Sequence, residues 1–453
     1  MALSPPVPTD AVPARVRTRG LARTVIATSI GNMLEWYDFT VYAFFARYIA
    51  RNFFAEHDPT VQLLNTFLVF GLGFIVRPLG AVIIGNYADR AGRKAALTLT
   101  ILLMAAGTCV IAFAPTYASV GPGAALLLLL GRLLQGFSAG GEIGGAIAFL
   151  LESARSEARG RIAAWVQASM GMSNILGFLV AFAVTRLLAP AEVQAWGWRI
   201  PFLIGLLIVP VGLYLRRSLE ETGAFETLVR ERRAPGLHAA PGMPGVHRSA
   251  PLVEIVRDHR RPLFAGVGVA VLWAVAVYVL MIYFPTYVQS TFGFSAQQAF
   301  ASALIGNVLF VSGCILFGTL SDRLGRRRSL AFASLGLMLG VLPLFLWLAA
   351  RPTFTTLVLV QAVVCVLVSS FNGVAPAALS EIFPTAVRAT GISIVYNGAF
   401  TVFGGFAPTV LTWLTRPAGG SWLAPAWYVT LAALTSLIAL AWLPRAARPG
   451  ESL

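Results

Sequence analysis

Two carboxylates, Glu35 and Asp38, stand three residues apart in "GNMLEWYDFTVY", among Met33, Leu34, Trp36 and Phe39. Three further charges lie in apolar surroundings: Arg77 in "FIVRPLG", Arg132 in "GRLLQG" and Glu142 in "GGEIGG". A charge at the centre of a bilayer costs at least a few kcal/mol on insertion scales, so such residues normally face a cavity or one another. At about 100° per residue, Gly31, Glu35, Asp38 and Tyr42 form one stripe of a helix, with Met33, Tyr37, Thr40 and Phe44 opposite. Two acids that close repel each other, so one of the pair is suited to holding and releasing a proton. The alternative is a structural role in ion pairs, for example Asp38 with Arg132.

Arginine is always charged and can fork two hydrogen bonds onto a carboxylate, so Arg132 has as its targets an acid of the first helix or a substrate. Gln135 and Glu142, seven residues apart, line one face of the same helix, and Glu142 can meet either a loop arginine or the substrate. Arg77 is followed by Pro78 and lies about 15 Å from the nearer end of its helix, too far to reach the interface. If the substrate is an anion, Arg77 is the charge best placed to meet it. The second half of the chain offers polar groups instead: Asn307, Gln361, Asn372, Tyr396 and Asn397, with Tyr278, Tyr283 and Tyr287. The candidates are therefore Glu35, Asp38 and Arg132 for proton handling, and Arg77, Tyr42, Gln135, Glu142, Asn307, Asn372 and Tyr283 for the substrate. Gly136, Gly140 and Gly144 repeat every four residues, a spacing that lets helix backbones approach closely.

The elements that must position these residues follow from composition. The chain has 453 residues, 57% of them hydrophobic and 12% charged, with a mean hydropathy of +0.76. That is the profile of a membrane protein. Twelve apolar runs of about 20 residues fall near 22–49, 62–87, 95–115, 123–151, 162–189, 199–217, 263–288, 297–320, 329–349, 354–379, 389–414 and 423–443. Each must be a helix, because lipid offers no partner to an open backbone N–H or C=O. Most Lys and Arg lie in the tails and the even-numbered connections, while Arg47, Arg51, Arg186, Arg199, Arg351 and Arg416 sit on the other side. Both termini are therefore expected in the cytoplasm.

The same placement accounts for the net charge of +15 without a nucleic acid partner. Cys109, Cys314 and Cys365 fall within spans without metal-ligand spacing, and no metal is expected. All four histidines lie outside the spans and no catalytic set can be assembled, so an enzyme is not expected. The Pro/Gly/Arg-rich connection containing "RERRAPGLHAAPGMPGVHRSAP" divides the chain into six spans and six. The expected organisation is a tail (1–21), a six-helix half (22–217), a central loop (218–262), a second six-helix half (263–443) and a tail (444–453).

An internal repeat supports this division: "GNYADRAGRK", from Gly85 to Lys94, returns as "GTLSDRLGRR", from Gly318 to Arg327. Glu152 precedes Arg159 by seven residues, as Glu381 precedes Arg388, at the next equivalent connection. In the repeated loops Asp89 and Asp322 can accept hydrogen bonds from the first N–H groups of the following helix, and Gly92 and Gly325 permit the tight turn. Arg90, Arg93, Arg323 and Arg326 would hold the loops at the membrane surface, as part of a latch or simply as orienting charge.

The spacing G-x-x-x-D-R-x-G-R followed by Lys or Arg, present in both halves, resembles the signature loop of the major facilitator superfamily, and the resemblance extends over the whole set of spans. "GNMLEWYDF", "FIVRPLGA", "GRLLQGFSAGGEIGGA", "WGWRIPF" and "RRSLEETGAF" resemble the metabolite:proton symporters within it. With "RYIARNFF" and "FGGFAP", the wording is nearest to the citrate and tricarballylate symporters of that family. The resemblance implies an all-α membrane protein of twelve transmembrane helices in two pseudo-symmetric halves. It implies alternating access, protons as coupling ion without another cofactor, and a small organic acid, a tri- or dicarboxylate such as citrate, as substrate. It also links Arg132 to the proton chemistry of the first helix. A bacterial-type inner membrane and function as a monomer are the corresponding expectations. Other metabolites of the family, including 2-oxoglutarate, shikimate-like acids, betaine and proline, stay open, although no heptads follow Leu443 as in osmosensing carriers. A drug exporter is disfavoured because the fifth span, Arg161 to Leu188, has no proline. A non-transporting sensor would need an appended signalling domain.

Overall fold

The computed structural model describes residues 32–33, 35–91, 93–140, 159–217, 260–383, 388–417 and 419–442, with side chains except at 88–91, 93–94, 97, 208, 211–217 and 388–389. The tails, most of the central loop, Glu142, Gly144, Glu152, Gly92 and the side chains of Asp89, Arg90, Arg93 and Arg388 lie outside this set.

Apart from the short helices Tyr117–Val120, Pro190–Ala195 and Gly197–Arg199, the helices among the described residues group into twelve, in the places the apolar runs predict. In the first half these are α1 (35–44, then Ala46–Phe53), α2 (Pro59–Ile75 and Arg77–Ala91), α3 (Arg93–Phe113), α4 (Gly123–Gly140), α5 (Arg159–Leu187) and α6 (Ile200–Arg217). In the second they are α7 (Arg260–Val277, Tyr278–Tyr283 and Phe284–Thr291), α8 (Ala296–Leu324), α9 (Arg326–Ala350), α10 (Phe354–Asn372 and Ala375–Ile382), α11 (Arg388–Ala399, Phe400–Gly405 and Ala407–Leu414) and α12 (Ala424–Leu440). Among the described residues, eight helical stretches are long and apolar enough to cross a membrane, and Thr98–Phe113, Gly197–Leu207 and Ala424–Leu440 are shorter apolar stretches.

Several helices outrun their apolar segments. α9 begins at Arg326, directly after Gly325, although hydrophobicity starts near residue 329. Hydropathy marks where lipid begins, whereas helix ends are set by caps. Asp58 caps α2 by accepting from the Thr60 amide at 2.7 Å, and Ser295 and Gln298 form a reciprocal capping box at the start of α8.

Leu126, Phe332, Leu339, Leu431 and Ile438 are exposed on the outside of the bundle, where lipid is the solvent. α1 and α7, the first helix of each half, are enclosed on nearly every side. The halves meet most extensively along α5 and α8, and again where α2 packs on α11.

Close approach inside the first half depends on glycine. A Cβ at Gly136 of α4 would overlap the carbonyl oxygen of Gly73 on α2, and one at Gly140 the carbonyl of Arg77. These two glycines pack as their spacing predicts. Gly136→Val is expected to destabilise the protein by roughly 1–3 kcal/mol, read as a lowered thermal midpoint in detergent. This contact fixes the height of Arg132 on α4 against Arg77 on α2.

Three central helices depart from α-geometry. α7 and α11 each contain a π-helical turn, at Tyr278–Tyr283 and Phe400–Gly405, and α10 is interrupted at Gly373 and Val374. A proline follows each within a few residues: Pro285, Pro408 and Pro376. Without its N–H, proline leaves the ladder one bond short, and the preceding turn widens or opens.

Candidate functional site

Arg132, on α4, is fully buried, and its Nη1 donates to Gln135 Oε1 at 2.8 Å, one helical turn away. Gln135 Nε2 in turn donates to Thr108 Oγ1 of α3 at 2.9 Å. Thr108 Oγ1 lies 2.6 Å from Asp38 Oδ2 of α1, with the Met104 carbonyl oxygen at 3.0 Å. A continuous chain of hydrogen bonds thus joins α4, α3 and α1. Among the described residues no ion pair connects Arg132 and Asp38 directly, so the expected alternative of a structural salt bridge is replaced by two neutral side chains. The other carboxylate oxygen, Oδ1, faces Gly205 of α6, where an added Cβ would meet it. A small residue at 205 makes room for the acid.

Arg77 is buried as well. Its guanidinium carbon sits over the rings of Phe74 at 4.1 Å, Phe39 at 4.6 Å and Trp36 at 5.9 Å. That of Arg132 sits over Phe39 and Phe70 at 4.6 Å and Tyr42 at 4.7 Å. Each cation is 4.6 Å from the Phe39 centroid, so the two lie at most twice that distance apart. Aromatic faces attract a desolvated cation by about 2 kcal/mol, which offsets only part of the cost of burying it. Nε and Nη1 of Arg77 and Nε and Nη2 of Arg132 are buried donors with no hydrogen-bond partner. These four donor nitrogens carry six charge-bearing N–H bonds, the kind of group that makes strong charge-assisted hydrogen bonds to an anion.

The remaining candidates divide. Glu35 is buried, but within electrostatic reach of Tyr278 and Tyr396 in the second half, so its surroundings differ from those of Asp38. Tyr42 donates its hydroxyl to the Thr66 carbonyl at 3.0 Å and stacks on Phe70, which makes it a wall beneath Arg132. Asn307 accepts from Asn174 across the α5–α8 interface at 3.2 Å and donates to Ala303. Asn372 is fully buried, and both polar atoms of its side chain are unpartnered. Tyr283 pairs with Thr412 at 3.3 Å and packs edge-on against Phe67, apart from the arginines. Tyr278 links the halves by packing on Trp36, Phe70, Phe74 and Phe400. Sequence reasoning missed Thr108, Phe39, Phe70 and Phe74, whose residue types are ordinary in an apolar helix.

Contacts between the halves lie at both ends of the bundle. At the end bearing the repeated loops, Asp322 of α8 accepts from the backbone amides of Gly160 at 2.9 Å and Arg161 at 3.1 Å. This corrects the expectation that it caps the following helix: it caps α5, in the other half. Arg326 holds Asp322 at 2.6 Å and reaches Glu381 of α10 at 3.3 Å, so this arginine binds the loop rather than facing the membrane surface. Arg323 is exposed, and Gly325 takes φ +86°, the left-handed turn that its type permits. Gly318 and Gly160 bring the two backbones together, whereas Gly85, the counterpart of Gly318, faces open space.

Replacing Asp322 with Ala removes a helix cap worth about 0.5–2 kcal/mol. A membrane-impermeant thiol reagent should then reach an Ala164→Cys probe roughly two- to thirtyfold faster. At the opposite end Phe44, Phe45, Phe178 and Phe300 pack across α1, α5 and α8, and Gln297 donates to the Thr185 carbonyl at 2.8 Å.

A bundle of membrane-spanning helices that encloses buried charges between two halves, with contacts between the halves at both ends, defines a membrane transport protein. The chain belongs to the sugar (and other) transporter family of the major facilitator superfamily, whose pattern it matches over residues 24–448. It is 35% identical over 424 residues to a citrate-proton symporter of Salmonella typhi, covering 94% of each chain. It is 32% identical to a putative proline/betaine transporter of Staphylococcus aureus (strain COL), over 93% of this chain and 88% of that one. The fold is that of the xylose transporter XylE from E. coli in a partially occluded inward-open conformation, with a TM-score of 0.74 at 17% identity over 96% of this chain and 99% of the other. These relatives are carriers, not enzymes.

Proposed function

We propose that this chain is a proton-driven symporter that imports a small organic acid, with tri- or dicarboxylates such as citrate as the leading class. The observation that carries this reading is the pair of buried arginines, Arg77 and Arg132, with four unpartnered donor nitrogens around one phenyl ring. An anion moving inward against the membrane potential meets about 2.3 kcal/mol per charge per 100 mV, so protons must travel with it. Asp38 is the proton-handling acid that the hydrogen-bond chain ties to the anion site, Glu35 is a second candidate, and the similarity to citrate-proton symporters supports the same chemistry. The two six-helix halves rock about this site in the membrane of a bacterial-type cell, with both termini in the cytoplasm and each monomer a complete carrier.

Similarity to proline/betaine carriers raises a zwitterionic substrate as the second reading. A quaternary ammonium group needs open aromatic faces, and here Phe39, Phe70 and Phe74 are already covered by guanidinium groups. That favours the acid. Uptake of labelled citrate, tricarballylate, 2-oxoglutarate, shikimate and betaine into proteoliposomes under an imposed pH gradient tests both. Gradient-stimulated uptake of a carboxylate supports the proposal, and its absence for every carboxylate sinks it.

A further inference from the structure

We infer that the Thr108 hydroxyl is a two-position switch that passes the protonation state of Asp38, through Gln135, to Arg132. The inference rests on the symport reading above. A threonine hydroxyl has one hydrogen to give and two lone pairs to accept with. Three partners surround this one: Asp38 Oδ2 at 2.6 Å, the Met104 carbonyl oxygen at 3.0 Å and Gln135 Nε2 at 2.9 Å. The orientation of Gln135 is fixed, because its oxygen is taken by the Arg132 donor and its nitrogen must therefore donate to Thr108. The single hydrogen of Thr108 is left to choose between Asp38 and Met104.

Protonation of Asp38 decides the choice. An ionised carboxylate only accepts, so it takes the Thr108 hydrogen. A proton added to Oδ2 reverses that bond: Asp38 donates to Thr108 Oγ1, and the Thr108 hydrogen turns to the Met104 carbonyl. Thr108 makes two bonds in the ionised state, donating to Asp38 and accepting from Gln135, and three in the protonated state, donating to Met104 and accepting from both Asp38 and Gln135; beyond the added proton, the exchange needs only rotation of one O–H.

In the ionised state the chain from Arg132 ends on a negative charge, and each bond polarises the next. In the protonated state it ends on a neutral acid. The positive charge of Arg132 is then uncompensated along this path, and its free Nε and Nη2 donors hold an anion more strongly. The groups around Asp38 leave few other routes. Thr108 and Met104 face it from α3, Gln135 and Arg132 lie along the chain from α4, and Gly205 faces it from α6. On its own helix Tyr37 gives its hydroxyl to the Pro201 carbonyl, Glu35 stands one turn back, and Arg77 lies across Phe39. Proton and substrate thereby favour each other's binding, reciprocally.

The test is equilibrium binding of labelled tricarballylate to the purified full chain at acid and at neutral pH, for the native protein and for Thr108→Val, Thr108→Ser, Gln135→Leu and the Val/Leu double variant. Taking variant-to-native ratios at each pH cancels the ionisation of the probe itself. The native protein should bind more tightly on acidification. In Thr108→Val that gain should shrink by about tenfold, the worth of a hydrogen bond to a charged group. Serine at 108 should restore it, Gln135→Leu should reproduce the loss, and the double variant should add nothing further. Equal weakening by Thr108→Val at both pH values would reduce Thr108 to a packing residue and overturn the switch while leaving symport intact. Failure of the native protein to bind any carboxylate at either pH would overturn the symport reading, and the switch with it.

Discussion

Asp38→Asn is expected to abolish concentrative uptake while leaving substrate exchange. Asparagine keeps the shape and an acceptor for Thr108 but has no proton to take up or release, so it imitates the protonated acid in every part of the cycle. A pH gradient of one unit can raise the accumulation ratio about tenfold per proton carried; in the variant that ratio should fall to one. Counterflow, in which internal unlabelled acid drives entry of labelled acid, needs no change of protonation and should persist. Loss of both activities together would mean that Asp38 supports the structure rather than the coupling.

Arg77→Met is the second substitution with a large expected effect. Losing one arm of a buried, charge-assisted contact costs about 2–5 kcal/mol of anion binding, roughly 30-fold to several thousandfold. Stability should move the other way or not at all, because an unpaired buried guanidinium is replaced by an apolar chain that can still pack on Phe39 and Phe74. A thermal midpoint equal to or above that of the native protein, together with lost tricarballylate binding, would show a group kept for its ligand at the expense of the fold. Arg77→Lys separates charge from geometry: the single ammonium cannot fork onto a carboxylate, so a di- or tricarboxylate should lose more affinity than betaine. Equal losses would remove Arg77 from the substrate site.

The spans were legible because lipid permits few ways to satisfy a backbone, and the embedded charges because each is costly where it stands. Neither rule identifies a partner. Thr108 is one threonine in an apolar helix, a place where threonines commonly bond their own backbone, as this one also can. Its role depends on α3 crossing α1 at the height of Asp38, which no local pattern encodes. The contact at the repeated loop was half legible for the same reason. Asp322 and Gly325 stand out in the repeated loop, but the partner of Asp322 is the backbone of Gly160, and a peptide N–H leaves no mark in the sequence. Arg132 and Asp38 carry opposite signs, which suggested an ion pair; the intervening Gln135 and Thr108 are neutral and gave no reason to expect a relay.

The crowding of embedded charge into one half also bears on leakage. With both acids ionised, Glu35 and Asp38 balance Arg77 and Arg132 among the described residues. A proton on Asp38 alone tips these four groups to a net positive charge in a low-dielectric interior. Turning that form inside out would drag the charge across the barrier, whereas an anion bound at the arginines neutralises it. On the proposed reading, the carrier with a proton but no cargo is thus the form least able to reorient, and the two arginines proposed to receive the substrate also protect the proton gradient from idle turnover.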